Sequence, residues 1–327
     1  DRKDSIDFCD YKLKVWSAPV SDPTKWVCHG DIFRSRDGHD SPSDVDWTDE
    51  LLFAPDVVER GGKYYLYAYI VNAKGCVAVA DRPEGPFRLL SRYEYDIPNH
   101  YDNGTFIDPG VLVDDGRVYI YCGYQGSYMC ELKDNMYEAV PGSYKLDIIP
   151  TVEPHRFFEA CSPRKINGTY YLIYSPQRGS CLDYATSDSP TGPFTYRGTI
   201  IDNGIDFPGG NDHGSVCCIN GQWYIFYHRM TNGTIMSRRG CVERIEILPD
   251  GTIPQVEMTS LGFEESLNPY DFTQADTACV LKGGCYITET SVFERPIVNV
   301  TDGCVMGWKY FDFGEDFASK TMQIRLK

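Results

Sequence analysis

The chain has 327 residues, of which 42% are hydrophobic and 24% are charged, and this composition excludes disordered and membrane-embedded classes. Its formal net charge of −16 at pH 7 disfavours nucleic acid as a partner, because an acidic surface repels phosphates. No apolar run approaches the roughly 18 residues of a membrane-spanning helix, so we expect no membrane partner.

Aromatic residues make up 14% of the chain, with 30 glycines and 20 prolines, a mixture typical of many short strands joined by tight turns. Four tyrosine-rich runs, each entered by a tight turn, recur at 62–69, 116–122, 167–174 and 220–227. Their marker residues are 54, 52 and 53 positions apart and are Tyr65, Tyr119, Tyr171 and Tyr224. A period of about 50 residues, with about four strands in each unit, predicts an all-β fold of the β-propeller type.

A second signature marks the outer hairpin of the repeat. It reads Asp-x-Pro-x-Gly-Pro-Phe at 81–87 and 188–194, and its two phenylalanines lie 107 residues apart, which is two periods. A weaker copy at 21–26 precedes them, so we count five blades that end near Gly251. The same spacing puts the inner strand of the first blade before residue 1, and we expect the chain to begin part-way through that blade.

Each repeat also carries a polar residue shortly before its marker tyrosine, where the innermost strand of a blade approaches the central axis. These residues precede the markers by 9, 11, 12 and 11 positions and are Asp56, Asp108, Glu159 and His213. A single aspartate before a proline is explained well by turn capping. Four polar residues in register instead predict a central funnel to which successive blades each contribute one side chain.

With these motifs, residues 1–258 resemble the family 43 glycoside hydrolases. The matching segments are 53–57, 107–109, 158–160, 186–194 and 212–215. The resemblance implies a five-bladed propeller that cleaves arabinosyl and xylosyl linkages with inversion. It also implies that Glu159 is the general acid, that Asp108 orients Glu159 and adjusts its pKa, and that His213 helps to hold a channel water or calcium ion.

The chemistry of glycoside hydrolysis is consistent with these roles. An inverting glycosidase needs a protonated carboxyl beside the leaving oxygen and a carboxylate near a water, separated by roughly 6.5–9.5 Å. Strand alternation puts Glu159 on one face with Phe157 and Cys161, and these apolar neighbours with the Asp108 charge are expected to raise its pKa. The base that the family implies is an aspartate on the inner strand of blade one, so we assign it to no residue of this chain.

Several further residues are candidates for binding substrate. Asp56, Phe53 and His213 belong to the predicted funnel, and Arg229 either hydrogen-bonds sugar hydroxyls or forms a surface salt bridge. The aromatic candidates have two open roles, sugar stacking and ordinary packing, and are Phe53, Trp47, Phe157, Phe207 and Tyr124. The glycines expected to keep the axis roomy are Gly110, Gly209, Gly210 and Gly214.

The segment 259–327 changes character and contains short predicted strands within 276–288 and 301–313. It resembles the start of a carbohydrate-binding β-sandwich of the family 6 type, although about 70 residues are too few for a sandwich of about 100. We therefore predict a catalytic propeller over 1–258, lacking its first inner strand, and the start of a sugar-binding module over 259–327.

The 13 cysteines form no CxxC motif and show no zinc-ligand spacing. Most fall in predicted strands, where a free cysteine behaves as a small buried hydrophobe, as for Cys76, Cys122, Cys130, Cys217 and Cys241. This usage favours a reducing compartment such as the cytoplasm and leaves secretion open.

Together these features predict an inverting exo-glycoside hydrolase that releases arabinofuranosyl or xylosyl residues from plant polysaccharides or oligosaccharides. Two alternatives stay open, namely the same mechanism on galactan-type glycans and a sugar-binding propeller without catalysis. The reaction requires no cofactor. A calcium ion held at His213, mostly through waters, is the metal that the resemblance suggests.

Overall fold

The computed structural model describes residues 9–38, 41–70, 75–92, 106–205, 207, 212–236, 238–291, 293–315 and 321–325. The chain divides into two compact units, Asp1–Glu257 and Met258–Lys327, a division one residue from the boundary expected from the sequence. The helices among the described residues are two 3-10 turns, at Asn203–Ile205 and Ala275–Thr277. None of the helices in this part of the chain is long and apolar enough to cross a membrane.

The first unit is built from antiparallel sheets whose strands follow chain order. A two-stranded sheet comes first, with β1 (Lys12–Ser17) and β2 (Val27–Arg34). The first four-stranded sheet contains β3 (Leu52–Arg60), β4 (Lys63–Ile70), β5 (Cys76–Ala80) and β6 (Arg88–Arg92). The second contains β7 (Gly110–Asp114), β8 (Arg117–Gly123), β9 (Ser127–Leu132) and β10 (Lys145–Leu146).

Two more sheets complete this unit. The third four-stranded sheet contains β11 (Phe157–Ile166), β12 (Thr169–Pro176), β13 (Cys181–Ser187) and β14 (Thr195–Asp202). A three-stranded sheet follows, with β15 (Ser215–Ile219), β16 (Gln222–Met230) and β17 (Arg238–Ile245). The structure therefore shows a propeller with four blades. The predicted count of five is not confirmed, because segment 12–34 forms only the two-stranded β1–β2 sheet among the described residues.

The tight turns before the marker tyrosines explain why the repeats fold as hairpins. Asn167 and Gly168 join β11 to β12 with φ angles of 51° and 86°, and Asn220 and Gly221 join β15 to β16 with 51° and 83°. Two successive residues with positive φ are what a type I′ hairpin turn requires, and its twist matches that of the flanking strands. The predicted β-hairpins are confirmed at these positions.

Tyrosines of the repeated strands fill the space between blades. Tyr67 of β4 is fully buried, and its hydroxyl donates a hydrogen bond to the backbone oxygen of Met136 at 2.7 Å. Tyr171 of β12 likewise donates to the backbone oxygen of Gly251 at 2.7 Å. A buried tyrosine needs a partner for its hydroxyl, so each ring adds apolar contact and also ties separate segments together.

The second unit has little regular structure. Strand β18 (Val280–Lys282) pairs with β21 (Val305–Gly307), and β19 (Tyr286–Ile287) pairs with β20 (Ile297–Val298). Strands of two or three residues make two small ribbons, so the predicted opening of a β-sandwich is not confirmed. Across both units all 13 cysteines carry free thiols, and several of them are fully buried in strands, as expected.

Candidate active site

Inner strands of neighbouring blades bring the predicted polar residues together. Strand β7 contacts both β3 and β11. Glu159 lies within β11, whereas Asp108 and His213 lie two residues before β7 and β15 respectively. One carboxylate oxygen each from Asp108 and Glu159 and one ring nitrogen of His213 all lie within 4.8 Å of one another. Three residues from three successive blades thus form one cluster, as the register of the repeats predicts.

The backbone at this cluster is irregular. Asp108 and Ala160 adopt φ angles of 50° and 68°, in the left-handed region that non-glycine residues seldom occupy. The pairing of β11 with β12 shifts register on both sides of Glu159. Such bulges redirect a side chain and locally break the alternation of strand faces. The expectation that Glu159 shares a simple face with Phe157 and Cys161 is therefore wrong.

The environment of Glu159 favours its protonated form. The residue is 8% exposed, and this burial raises its pKa to about 7, with a further contribution from the negative charge of Asp108. The charges of His213 and Arg238 act in the opposite direction and partly restrain the rise in pKa. Glu159 is therefore a carboxyl group that is partly protonated at neutral pH, as a general acid must be.

Asp108 and His213 form a close pair. The Nε2 atom of His213 lies 3.2 Å from an Asp108 carboxylate oxygen, and the Asp108 side chain is 6% exposed. Burial acts to lower the pKa of His213, but the adjacent Asp108 and Glu159 carboxylates outweigh it, so that its pKa lies above the ordinary value. Asp108 is thus held between an acid on one side and an imidazole on the other.

His228 and Asp212 form a second layer of polar residues next to His213. The His213 ring stacks on that of His228, with centroids 6.1 Å apart and an interplanar angle of 23°. Burial lowers the pKa of His228 to about 2, so this imidazole is neutral, and burial raises the pKa of Asp212 to about 7. An Asp212 oxygen accepts a hydrogen bond from the backbone N–H of His228 at 3.1 Å. Because His228 is neutral, it does not repel a positive charge on His213.

A cavity of about 300 Å³ opens beside the cluster and is lined by residues that include Asp56, Asp108, Ala160, Arg164, His213 and His228. Its volume is at the small end of the range for ligand pockets, which suits one sugar unit. Glu159 itself does not line this cavity, but its neighbour Ala160 does. The cluster and the cavity share Asp108 and His213.

Asp56 lines the cavity, but both of its carboxylate oxygens accept hydrogen bonds from the backbone. They accept hydrogen bonds from the backbone N–H groups of Val57 at 2.9 Å and Val111 at 2.7 Å. The second bond ties β3 to β7. Burial raises the pKa of Asp56, and the charge of Arg164 opposes that rise. Its predicted contact with substrate stays a prediction.

The aromatic candidates pack against protein. Phe157 is fully buried in a hydrophobic cluster, and Phe207 is 6% exposed. The remaining three make ring contacts outside the cavity lining, namely Phe53 with Tyr69, Tyr124 with Phe158, and Trp47 with the guanidinium of Arg92. Sugar stacking by Phe157 is excluded by its burial. For this residue ordinary packing was the correct alternative.

Arg229 and two of the glycines also differ from expectation. Arg229 is 3% exposed, and its guanidinium lies 4.8 Å from the centre of the Phe207 ring. Because the residue is buried, the expectation of a surface salt bridge is wrong. A Cβ on Gly110 would lie 2.3 Å from the backbone oxygen of Cys161, and one on Gly214 would lie 2.4 Å from that of Phe226. These glycines allow strands to approach closely and do not widen the axis. Gly209 and Gly210 lie outside the described residues.

Residues 11–253 match the glycosyl hydrolases family 43. The chain belongs to this family. Among curated relatives, a xylosidase/arabinosidase of Thermoclostridium stercorarium is 37% identical, and the match covers 95% of this chain and 76% of the relative. A β-xylosidase of Xylanibacter ruminicola is 32% identical and covers 65% of this chain and 77% of the relative.

Solved family 43 structures share the fold. A β-xylosidase/α-arabinofuranosidase from a compost microbial metagenome, crystallised with xylotriose in a calcium-free form, superposes with a TM-score of 0.62. It is 29% identical, and the match covers 76% of this chain and 84% of that one. The family membership establishes that the protein is a glycoside hydrolase. The cluster of Glu159, Asp108 and His213 lies within the matched residues.

One member of this family 43 site was missed at the level of sequence. Arg238 opens β17, opposite Met230 on β16, and its charge acts on Glu159, His213 and His228. Arg229, near the end of β16, is the arginine of this blade that the sequence suggests, whereas Arg238 belongs to the arginine pair 238–239. The available signal was a cationic pair at the start of a strand in the same blade as His213.

Proposed function

We propose that this protein is an exo-acting, inverting hydrolase that releases xylosyl or arabinofuranosyl residues from plant polysaccharides or oligosaccharides. The observation that carries the proposal is Glu159, a buried carboxyl group with a pKa of about 7 beside Asp108 and a sugar-sized cavity. The names of two similar relatives, a xylosidase/arabinosidase and a β-xylosidase, support the choice of sugars. The xylotriose bound to a structurally similar enzyme supports an oligosaccharide substrate.

In the proposed reaction Glu159 donates its proton to the glycosidic oxygen as the bond to the anomeric carbon breaks. Asp108 acts on Glu159, because its negative charge favours retention of the proton until the leaving group accepts it. His213 holds Asp108 in place through the 3.2 Å contact. Arg238 limits the rise of the Glu159 pKa, so that the proton can still be released near neutral pH.

Inversion also needs a carboxylate that activates a water on the opposite face of the sugar. We assign this general base to none of the described residues. Asp56 is the cavity carboxylate besides Asp108 among them, and both of its oxygens already accept backbone hydrogen bonds. Asp56 is instead proposed to position the inner strands around the sugar.

We also propose a calcium ion near His213 that the reaction does not consume. Calcium prefers oxygen ligands. The nearby carboxylate oxygens belong to the proposed acid, Glu159, and to Asp108, which adjusts the pKa of that acid. We therefore expect His213 to contact the ion through water. The bound ion would add positive charge beside Asp108. Removal of calcium with a chelator should lower both the activity and the thermal midpoint, and added calcium should restore them. No change in either quantity would contradict the proposed calcium site.

We further infer that β1 and β2 are the outer strands of a fifth blade. The weak signature at 21–26 lies between them, just as the strong copies lie between β5 and β6 and between β13 and β14. An experimental structure of the whole protein tests this inference. A further strand paired to β1 on its free side would support it, and β1 as a true sheet edge would contradict it.

A substrate panel tests the proposed function. The nitrophenyl derivatives of xyloside, arabinofuranoside and galactoside, with xylotriose as the natural linkage, should be hydrolysed with preference for the two pentosides. Proton NMR should show that the first-formed sugar has the anomeric configuration opposite to that of the substrate. Preference for the galactoside would favour galactan-type glycans, and absence of hydrolysis with retained sugar binding would favour a non-catalytic propeller.

A further inference from the structure

Two cysteines of the second unit lie side by side at the junction of its two small sheets. The β18–β21 register pairs Lys282 with Val305, so the next position outward brings Gly283 opposite Cys304. A Cβ on Gly283 would lie only 2.8 Å from the Cα of Cys304. Cys285 lies two residues after Gly283, close enough to Cys304 for each thiol to shift the pKa of the other.

The backbone turns hold both sulfur atoms in place. The Sγ of Cys285 lies 3.3 Å from the carbonyl oxygen of Lys282, and the Sγ of Cys304 lies 3.3 Å from the next carbonyl oxygen, that of Gly283. The Nδ2 of Asn299 donates to the carbonyl oxygen of Gly284 at 2.8 Å and so fixes the turn between them. The two thiols therefore approach each other on a braced part of the chain.

The two cysteines differ in the way that a disulfide-forming pair requires. Cys304 is partly exposed, and its sulfur accepts a hydrogen bond from the backbone N–H of Thr301 at 3.3 Å, which lowers the pKa of this thiol. Cys285 is 6% exposed, and burial raises the pKa of its thiol. A stabilised, accessible thiolate is the attacking group in thiol–disulfide exchange, and a neighbouring thiol resolves the intermediate. Core thiols such as Cys76, whose pKa burial raises to about 12, are inert by comparison.

We propose that Cys285 and Cys304 form a reversible disulfide when the protein meets a low-molecular-weight disulfide such as glutathione disulfide. The Cys304 thiolate attacks one sulfur of glutathione disulfide, which forms a mixed disulfide and releases one glutathione thiolate. Cys285 then gives its proton to that thiolate or to water and attacks the Cys304 sulfur, which releases the second glutathione. Two protein thiols are oxidised, and one glutathione disulfide is reduced to two glutathione molecules.

The bond would close a loop that contains β19 and β20 and would join the turn after β18 to the turn before β21. The described residues of the second unit form two sheets of two short strands each, and isolated two-stranded sheets are only marginally stable. A cross-link restricts the unfolded chain and so stabilises the folded form. The pair is thus a redox-sensitive staple of the second unit.

Mass spectrometry of the full-length protein tests the proposal directly. Trypsin cleaves after Lys282 and Lys309 but leaves the Arg295–Pro296 bond intact, so one fragment, 283–309, contains both cysteines and no other. After treatment with glutathione disulfide this fragment should be lighter by about 2 Da and should take up no alkylating reagent. A fragment that still takes up two alkyl groups, or that carries glutathione on both sulfurs, would overturn the proposal.

Single variants distinguish the two roles. Cys285→Ser should accumulate one glutathione on Cys304, whereas Cys304→Ser should leave Cys285 unmodified, because Cys285 is buried. Cys218→Ser, which removes an exposed thiol of the first unit, is the matched control and should form the cross-link as the unaltered protein does. Oxidation should raise the thermal midpoint of the control and leave that of Cys304→Ser unchanged. Equal shifts in both variants would contradict stabilisation by the disulfide.

Discussion

Two carboxyl groups within a few ångströms of each other share the centre of this site, and both are nearly inaccessible to solvent. Two negative charges so close together in a buried place are unfavourable, so one group holds a proton. Glu159 is that group, because its pKa rises to about 7 through burial and through the charge of Asp108. His213 and Arg238 supply the compensating positive charge, whereas His228 is neutral.

Replacement of Asp108 by asparagine tests how the charge of this residue acts. Asp108→Asn keeps size and hydrogen bonding but removes the negative charge that raises the pKa of Glu159. We expect the basic limb of the pH–activity profile, which falls as Glu159 loses its proton, to move to lower pH. Activity at neutral pH should fall accordingly. A profile that keeps its basic limb while only the maximal rate falls would show that Asp108 acts in another way.

The same buried carboxyl group should make the fold less stable at high pH. The folded protein keeps the Glu159 proton to about pH 7, whereas the unfolded chain releases it near the ordinary value of 4.5. Stability therefore falls as the pH rises from about 4.5 to about 7, since the unfolded state binds fewer protons in that range. Glu159→Gln removes this penalty.

We expect Glu159→Gln to be more stable than the unaltered protein at pH 8 by on the order of 1–3 kcal/mol. The gain should shrink towards pH 5, where the folded protein keeps Glu159 protonated. Urea unfolding at both pH values measures the difference. A gain that is equal at the two pH values would mean that the ionisation of Glu159 does not contribute.

At the scale of strands, the site depends on how closely inner strands approach. Strand β7 begins with Gly110, where a Cβ would lie 2.3 Å from the backbone oxygen of Cys161 on β11. No flexible side-chain end is available there to move aside, because the nearest atom belongs to the backbone. The separation of β7 and β11 fixes the distance from Asp108, which precedes β7, to Glu159 on β11.

Gly110→Ala should therefore destabilise the protein by about 1–3 kcal/mol or more, through overpacking. It should also lower activity by moving Asp108 away from Glu159. Gly240→Ala is the matched control, because a Cβ on this exposed strand glycine would meet no atom within 4 Å. Urea unfolding measures both. Equal stability of the two variants would contradict the close packing of β7 on β11.

The strands and the central residues could be predicted because their signals are local. Turn pairs such as Asn167–Gly168 require positive φ angles, and the spacing of marker tyrosines then sets the repeat and puts Asp108, Glu159 and His213 in register. The bulge around Glu159 could not be predicted, because the long-range packing of β11 on its neighbours produces it.

Other features were missed for the same reason. The burial of Phe157 depends on side chains from several strands, and the reach of Arg238 to the site depends on how the last sheet is placed. Gly110 shows how a correct residue can receive the wrong physical role. From the sequence its missing side chain suggests open space, whereas in the structure it allows two backbones to come into contact.

At the scale of the whole molecule, a propeller builds one site from several blades. Successive blades contribute Asp56, Asp108, Glu159 and His213 from their inner strands or from the residues just before them. Each inner strand belongs to a separate sheet, so the packing of the blades sets the distances between these side chains. A sugar ring carries no charge, so the net charge of −16 is no obstacle to its binding.

The central claim is that Glu159 donates the proton to the leaving group. Glu159→Gln keeps the shape and the hydrogen bonds of the side chain but has no acidic proton. Loss of general-acid assistance typically costs about 10²–10⁴ in rate. The loss should be large for a natural linkage and much smaller for an activated aryl glycoside, whose leaving oxygen needs little protonation. Glu131→Gln is the control and should behave as the unaltered protein does. Glu131 lies on β9, away from the site, and its carboxylate accepts a hydrogen bond from Arg117 on β8.

The most direct measurement is therefore the turnover of Glu159→Gln on xylotriose compared with its turnover on nitrophenyl xyloside. We predict that the rate on xylotriose falls by about 10²–10⁴ while the rate on the aryl substrate falls far less. Turnover of xylotriose at the rate of the unaltered protein, or an equal loss on both substrates, would contradict the assignment of Glu159 as the general acid.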